Sequence, residues 1–130
     1  MKLYQEELME HYRNSPFRKR IEVADFDTGQ YNPSCGDAVS MQGIIQDGVF
    51  AALAFQGKGC VISQATASIL CQYALQKPVA ILAAMQADEL MQLIKIPLGP
   101  TRLQCALLSL HALQEGIKQY KKDTAHVTSC

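Results

Sequence analysis

Two runs of alternating residues joined by Asp47-Gly48 constrain the fold of this chain more than any other feature of its sequence. Apolar side chains occupy mostly odd positions over residues 39–45 and again over residues 49–55. Alternation with a period of two is typical of strands, and an Asp-Gly pair tolerates the positive φ that a tight hairpin turn requires. The sequence therefore predicts an antiparallel β-hairpin that turns at these two residues.

Helical patterns lie on both sides of this hairpin. The residue patterns predict an amphipathic first helix, an Ala- and Ser-rich helix capped by Ser63, two short helices, and a long amphipathic helix after a Pro-Gly-Pro break. These helices are predicted over residues 3–12, 61–75, 79–85, 88–94 and from 101 onward.

A further strand is predicted before the hairpin. Residues 21–26 alternate, and residues 28–33 contain the Gly, Asn and Pro typical of a loop. Strands followed by helices indicate an α+β fold, with a sheet covered by helices on one face.

Composition limits the class of protein. The 130 residues fit a single domain, 1–130, whose polar tail over residues 121–130 we expect to fray. The formal net charge of zero argues against nucleic-acid or membrane-surface binding, and acidic residues near the start argue against a signal peptide. The five cysteines, an odd number, are typical of reduced thiols in the cytoplasm.

Three cysteines lie in separate segments beside glycine, proline or a predicted helix start. They are Cys35 in Asn-Pro-Ser-Cys-Gly-Asp, Cys60 in Gly-Lys-Gly-Cys, and Cys105 early in the last helix. Their spacing is not that of a zinc finger, so they can meet only if the whole domain folds around them. We expect Cys71 to be a small core residue and Cys130 to be a loose thiol.

Asp37, two residues after Cys35, completes a set of three thiols and one carboxylate. Spacing alone leaves open whether this carboxylate binds a metal or bonds a loop amide. Either Zn²⁺ or an iron–sulfur cluster accepts such a set of ligands. The histidines His11, His111 and His126 are dispersed and are expected at the surface, and no hydrolase or nucleotide-binding motif is present.

Three motifs together resemble the IscU/SufU/NifU-N family of iron–sulfur cluster assembly scaffolds. They are Glu-His-Tyr-Arg-Asn at residues 10–14, Asn-Pro-Ser-Cys-Gly-Asp at 32–37, and Gly-Cys-Val-Ile-Ser-Gln-Ala-Thr-Ala-Ser at 59–68, followed by the cysteine at position 105. The resemblance covers nearly the whole chain. It implies a small antiparallel three-stranded sheet with helices packed on one face.

The resemblance also implies a function. Cys35, Asp37, Cys60 and Cys105 would bind a cluster, of the [2Fe-2S] type, or Zn²⁺, and Asp37 would keep the site labile. Sulfur would come from a cysteine desulfurase, with Cys105 as the candidate persulfide acceptor, and the cluster would pass to recipient apoproteins. Such a protein is a scaffold and carrier and not an enzyme with small-molecule turnover.

Some positions depart from the family pattern. The histidine that usually precedes the third cysteine in the IscU branch is Gln104 here, and residues 98–102 match the recognition segment for an Hsp70-type chaperone only partly. Arg102 is more similar to the SufU branch, although the interval before Cys105 is too short for the usual SufU insertion. A zinc-dependent, SufU-like sulfurtransferase that relays persulfide is therefore the alternative, and a domain with structural zinc is a third interpretation.

Overall fold

The computed structural model describes the backbone of residues 2–128 and the side chains of residues 3–124. A three-stranded antiparallel sheet of order β1-β2-β3 is followed by four of the five helices, which confirms the α+β class. In chain order the elements are α1 (Lys2–Asn14), β1 (Phe26–Asn32), β2 (Asp37–Gln46), β3 (Val49–Lys58), α2 (Val61–Ala74), α3 (Val79–Ala83), α4 (Ala87–Ile94) and α5 (Pro100–Thr128).

The predicted hairpin is confirmed as β2 and β3. Asp47 and Gly48 form its turn with φ of 55° and 77°, which are the positive values that the Asp-Gly pair was expected to supply. Strand pairing runs from Gln46 opposite Val49 to Ala38 opposite Lys58, with one irregularity at Ile44/Ile45. Both strands of the hairpin therefore run the full length of the sheet.

The predicted position of the remaining strand is wrong. β1 begins at Phe26 and runs through residues assigned to a loop, pairing with β2 from Phe26 opposite Gly43 to Asn32 opposite Asp37. The alternation before it is misleading, because Val23 is 89% exposed. In that segment the Asp25 carboxylate accepts a hydrogen bond from the Ile45 amide of β2 at 2.7 Å. A side chain thus accepts the bond that a backbone carbonyl would accept if β1 began earlier.

The helices pack on one face of the sheet, as predicted. Phe26 shows how close this packing is: a Cβ at Gly43 on β2 or at Gly116 on α5 would overlap its ring. The ring also meets Phe50 edge-on, with centroids 6.2 Å apart. Glycines on both sides thus let α5 lie close against the sheet, and this fixes where the first turns of α5 stand.

The five predicted helices are present with small shifts at their ends. α5 continues to Thr128, and the expected fraying of residues 121–130 stays a prediction. Among residues 2–128, no helix combines the length and apolar character needed to cross a membrane.

His11 differs from the surface histidine that the sequence suggests. Its Nδ1 lies 2.8 Å from the Ser68 hydroxyl on α2, and that hydroxyl lies 2.6 Å from the Ser15 hydroxyl. Burial lowers the pKa of His11, although the nearby carboxylates of Glu7 and Glu10 act to raise it. Neutral His11 therefore ties α1 to the centre of α2.

This lowered pKa predicts a loss of stability in mild acid. The unfolded chain binds a proton near pH 6.5, whereas folded His11 binds one only at lower pH, so the free energy of unfolding should fall as pH drops below about 6.5. The slope should be well below about 1.4 kcal/mol per pH unit, because the ring is partly solvated. Urea unfolding of the wild type and of His11→Gln between pH 5 and pH 8 measures the effect, with His111→Gln at an exposed position as control. An identical pH dependence in wild type and His11→Gln would contradict the assignment.

Candidate metal centre

The candidate site lies at one end of the sheet, where the β1–β2 turn and the first turns of α2 and α5 converge. Antiparallel pairing brings Asn32 opposite Asp37, and this closes the turn of residues 33–36 that carries Cys35. Cys60 directly precedes α2 and Cys105 lies on the second turn of α5. The separate segments named by the sequence therefore meet in space.

The turn that carries Cys35 is held by Asn32. The Asn32 carbonyl accepts the Gly36 amide at 2.8 Å, and its side-chain oxygen accepts the Ser34 amide at 3.0 Å. Gly36 has φ of 77°, which glycine adopts without strain. The Cys35 side chain is exposed at the tip of this turn, with its Sγ 3.5 Å from that of Cys105.

Asp37 is buried at the start of β2 and connects the sheet to α2. Its carboxylate accepts the Cys60 amide at 3.1 Å through one oxygen and the Cys60 thiol at 3.0 Å through the other. Burial raises the pKa of Asp37, but hydrogen bonds from the thiol and amide of Cys60 and from Cys105 outweigh burial and leave it below its ordinary value. The carboxylate is thus ionised, and it bonds a loop amide while facing the thiols.

Gly59 makes this contact sterically acceptable. Its φ is 123°, and a Cβ at this position would overlap the Asp37 carboxylate. The absence of a side chain at Gly59 therefore lets the Asp37 carboxylate approach the start of α2 closely.

Cys60 is the N-cap residue of α2, and its own side chain makes no capping hydrogen bond. The predicted cap, Ser63, is wrong: it is buried inside the first turn, and its hydroxyl donates to the Cys60 carbonyl at 3.1 Å. The Cys60 thiol instead donates to the Asp37 carboxylate and remains exposed.

Cys105 is the buried thiol of the group, only 4% exposed. Burial raises its pKa strongly, and so do its hydrogen bonds to Cys35 and Asp37, the negative charge of Asp37, and the nearness of Cys60, whose thiolate would repel a second one. Several acidic groups this close cannot all ionise in the absence of a cation. Cys105 is therefore protonated without metal, and a bound cation would favour its thiolate.

Donor atoms of Cys35, Asp37 and Cys105 all lie within 4.8 Å of one another. A tetrahedral ion with metal–sulfur bonds of about 2.3 Å spaces its ligands about 3.8 Å apart, so this group has the dimensions of a metal site. Cys60 lies outside the mutually close set and is joined to it through Asp37. Two or three thiols with one carboxylate suit zinc or iron.

Of the remaining cysteines and histidines, those whose side chains the structure describes do not join this site. Cys71 is fully buried in α2, as expected of a core residue, and burial strongly raises the pKa of its thiol. Cys130 and the side chain of His126 lie outside the described residues, and His111 is exposed on α5 as predicted.

Ser63 is a site residue whose role the sequence predicted wrongly. It was expected to cap α2, but its hydroxyl donates to the Cys60 carbonyl. Its position three residues after the N-cap residue fits either role.

Comparisons with known proteins identify the family of this chain. The family model described as NifU-like N terminal domain matches residues 3–127. "Iron-sulfur cluster assembly scaffold protein IscU" of Thermotoga maritima is 26% identical, and the alignment covers 92% of this chain and 96% of that protein. "Zinc-dependent sulfurtransferase SufU" of Bacillus subtilis is 30% identical, over 88% of this chain and 89% of that protein.

A solved structure gives the same fold. The putative iron–sulfur cluster assembly scaffold protein for the SUF system from Fervidobacterium islandicum superposes with a TM-score of 0.76 at 23% identity, covering 89% of this chain and 97% of that one. With a family model that spans almost every residue, the chain belongs to the NifU-like N-terminal domain family of iron–sulfur cluster assembly scaffolds, which includes IscU and SufU.

Proposed function

We propose that this protein assembles an iron–sulfur cluster of the [2Fe-2S] type on Cys35, Asp37, Cys60 and Cys105 and passes it to recipient apoproteins. The observation that carries the proposal is the meeting of Cys35, Asp37 and Cys105 within 4.8 Å, with the Cys60 thiol against the same carboxylate. Cys35 and Cys60 are exposed, so both iron and a partner protein can reach the site.

A cysteine desulfurase is the proposed source of sulfur. A thiolate of the site would attack the outer sulfur of the persulfide on that enzyme, and the desulfurase thiolate would leave. Cys105 is the proposed final acceptor, because its sulfur lies 3.5 Å from that of the exposed Cys35 and is itself shielded from solvent. Reduction of the persulfide to sulfide then requires two electrons, which a thiol reductant supplies in the assay below.

A second candidate function is the zinc-dependent relay of persulfide. The 30% identity to SufU of Bacillus subtilis favours it, and the same four residues would then hold Zn²⁺. Gln104 beside Cys105 is exposed and belongs to a residue type that seldom ligates metals, which leaves Asp37 as the fourth ligand in both proposals.

Anaerobic reconstitution separates these functions. Ferrous iron, cysteine, a cysteine desulfurase and dithiothreitol should produce the visible absorption of a cluster on the wild type and on Cys71→Ala, a control that removes a thiol outside the site. Cys35→Ser and Cys105→Ser should lose that absorption. If no chromophore forms while zinc stays tightly bound and a cysteine carries persulfide, the relay function replaces the scaffold. Zinc binding with neither cluster nor persulfide would leave only a structural metal.

Asp37→Ala should make the assembled cluster longer-lived in air. An oxygen ligand is exchanged more readily than a thiolate, so its removal should reduce solvent access and exchange at the iron. The rate at which visible absorbance bleaches after exposure to oxygen measures this lifetime. Bleaching at the wild-type rate or faster would show that Asp37 is not the labile ligand.

Gly59→Ala should weaken metal binding by displacing the Asp37 carboxylate that an added Cβ would overlap. Gly48→Ala is the matched control, because Gly48 also has positive φ but has no atom near its Cβ position. Backbone strain should lower the free energy of unfolding of both variants by about 1–2 kcal/mol, and Gly59→Ala should lose more because its Cβ also overlaps Asp37. Only Gly59→Ala should lower zinc affinity in a chelator competition, and equal affinities in the two variants would exclude a steric role for Gly59.

A further inference from the structure

A separate polar groove lies beside the thiol site, between α1 and the free edge of β3. Its volume is about 410 Å³, and none of the four proposed ligands lines it. Pockets of this size hold ligands larger than a single inorganic ion. The lining residues are Tyr12, Arg13, Arg18, Gly57, Lys58, Gly59 and Gln64.

The groove is positively charged and its charges are not neutralised. Arg13, Arg18 and Lys58 line it, and no acidic side chain does. Among the side chains of residues 3–124, the single ion pair within 4.0 Å joins Arg20 to Asp27. The three cations of the groove are therefore available to an anionic ligand.

Arg18 is held in place for such a ligand. Its Nη2 donates to the Tyr12 carbonyl at 2.5 Å, and its guanidinium carbon lies 5.8 Å and 5.4 Å from the ring centroids of Tyr12 and Phe55. A guanidinium fixed between two rings loses little side-chain entropy when it binds a carboxylate. Its remaining N–H groups can form a charge-assisted pair.

Gln64 supplies a buried donor that lacks an acceptor. The residue is 5% exposed on α2, and its Nε2 has no hydrogen-bond partner in the described part of the chain. Buried polar groups are nearly always paired, so an unpaired amide that lines a groove points to a missing ligand. The Nε2 itself has almost no accessible surface, although the side chain lines the groove. Rotation about the soft torsion at the end of the glutamine side chain exchanges nitrogen and oxygen and brings the NH₂ to the groove.

Gly57 adds an open strand edge. The Phe55 amide faces away from β2, since it donates to the Phe17 carbonyl at 2.8 Å. In an antiparallel ladder the peptide groups alternate in direction, so the N–H and C=O of Gly57 also face away from β2, and no backbone group described here pairs with them. A Cβ at Gly57 would lie 2.8 Å from Gln64 Nε2, so glycine keeps the edge and the amide close together.

We propose that this groove binds an extended acidic segment of a partner protein. The strand edge at Gly57 selects an extended backbone, while Arg13, Arg18, Lys58 and the Gln64 amide select carboxylates. A free oxyanion would satisfy the charges but would use neither the strand edge nor the length of the groove. Because Lys58 and Gly59 directly precede Cys60, a segment bound here places its protein over the thiol site.

Fluorescence anisotropy with the full chain tests the proposal. The probe is a fluorescein-labelled hexapeptide of alternating glutamate and valine, and the control probe replaces each glutamate with glutamine. Wild type should bind the acidic probe and not the neutral one. Lys58→Glu should weaken binding about tenfold or more, while Lys118→Glu, an exposed charge reversal on α5, should leave it unchanged. This assay needs no metal, so its outcome is independent of the cluster proposal.

Gln64→Met distinguishes a ligand-binding role from a structural one. It keeps the volume of the side chain and removes an unpaired buried amide, so the melting temperature should hold or rise while peptide affinity falls about tenfold. Five results would overturn the proposal. Four are no binding by wild type, equal binding of the neutral probe, equal loss with Lys118→Glu, and unchanged affinity in Gln64→Met. The fifth is displacement of the probe by inorganic phosphate at low millimolar concentration, which would identify a simple oxyanion site.

Discussion

The contact between the Asp37 carboxylate and the start of α2 is the interaction on which the thiol site depends. One carboxylate oxygen holds the Cys60 amide, the other holds the Cys60 thiol, and Gly59 leaves the room for both. Through this contact the first residue of β2 fixes the position and direction of α2. The same carboxylate faces Cys35 and Cys105, so one side chain both organises the fold at this end of the sheet and belongs to the proposed ligand set.

This arrangement has an electrostatic cost that suits a site for a cation. Thiols and a carboxylate within a few ångströms of one another can be ionised together only when a positive ion offsets their repulsion. Burial of Cys105 adds to that cost, whereas the exposure of Cys35 and Cys60 leaves a route for exchange. A site of this kind favours metal binding and also permits release, which is what assembly and transfer of a cluster require.

The sequence predicted those parts of the structure that local patterns determine. The turn at Asp47-Gly48 and the long apolar stripe of α5 are local signals, and both were found where expected. β1 was misplaced because its residues, Phe-Asp-Thr-Gly-Gln-Tyr-Asn, are largely polar and become a strand only by pairing with β2. The location of Phe26 between two glycines, Gly43 and Gly116, is likewise a property of packing that no local pattern encodes.

The candidate site was predicted as a set of residues but not as a geometry. The motifs identified Cys35, Asp37, Cys60 and Cys105, yet spacing left open whether Asp37 binds a metal or bonds a loop amide. The structure shows the bond to the Cys60 amide and brings the carboxylate within 4.8 Å of the thiols of Cys35 and Cys105, while metal binding by Asp37 stays a prediction. The roles of Ser63 and His11 depend on contacts between distant elements. The Ser63 hydroxyl lies inside the first turn of α2, which Asp37 holds in place, and the His11 imidazole on α1 forms a hydrogen bond with Ser68 on α2. Such contacts follow from tertiary packing and are therefore outside the reach of local patterns.

X-ray absorption at the zinc edge of the zinc-loaded protein tests the central claim most directly, because it counts the ligands that bind the ion. A single ion held by Cys35, Asp37, Cys60 and Cys105 predicts three sulfur neighbours at about 2.3 Å and one oxygen at about 2.0 Å. Two or fewer sulfur neighbours, or four sulfurs with no oxygen, would contradict the proposed ligand set.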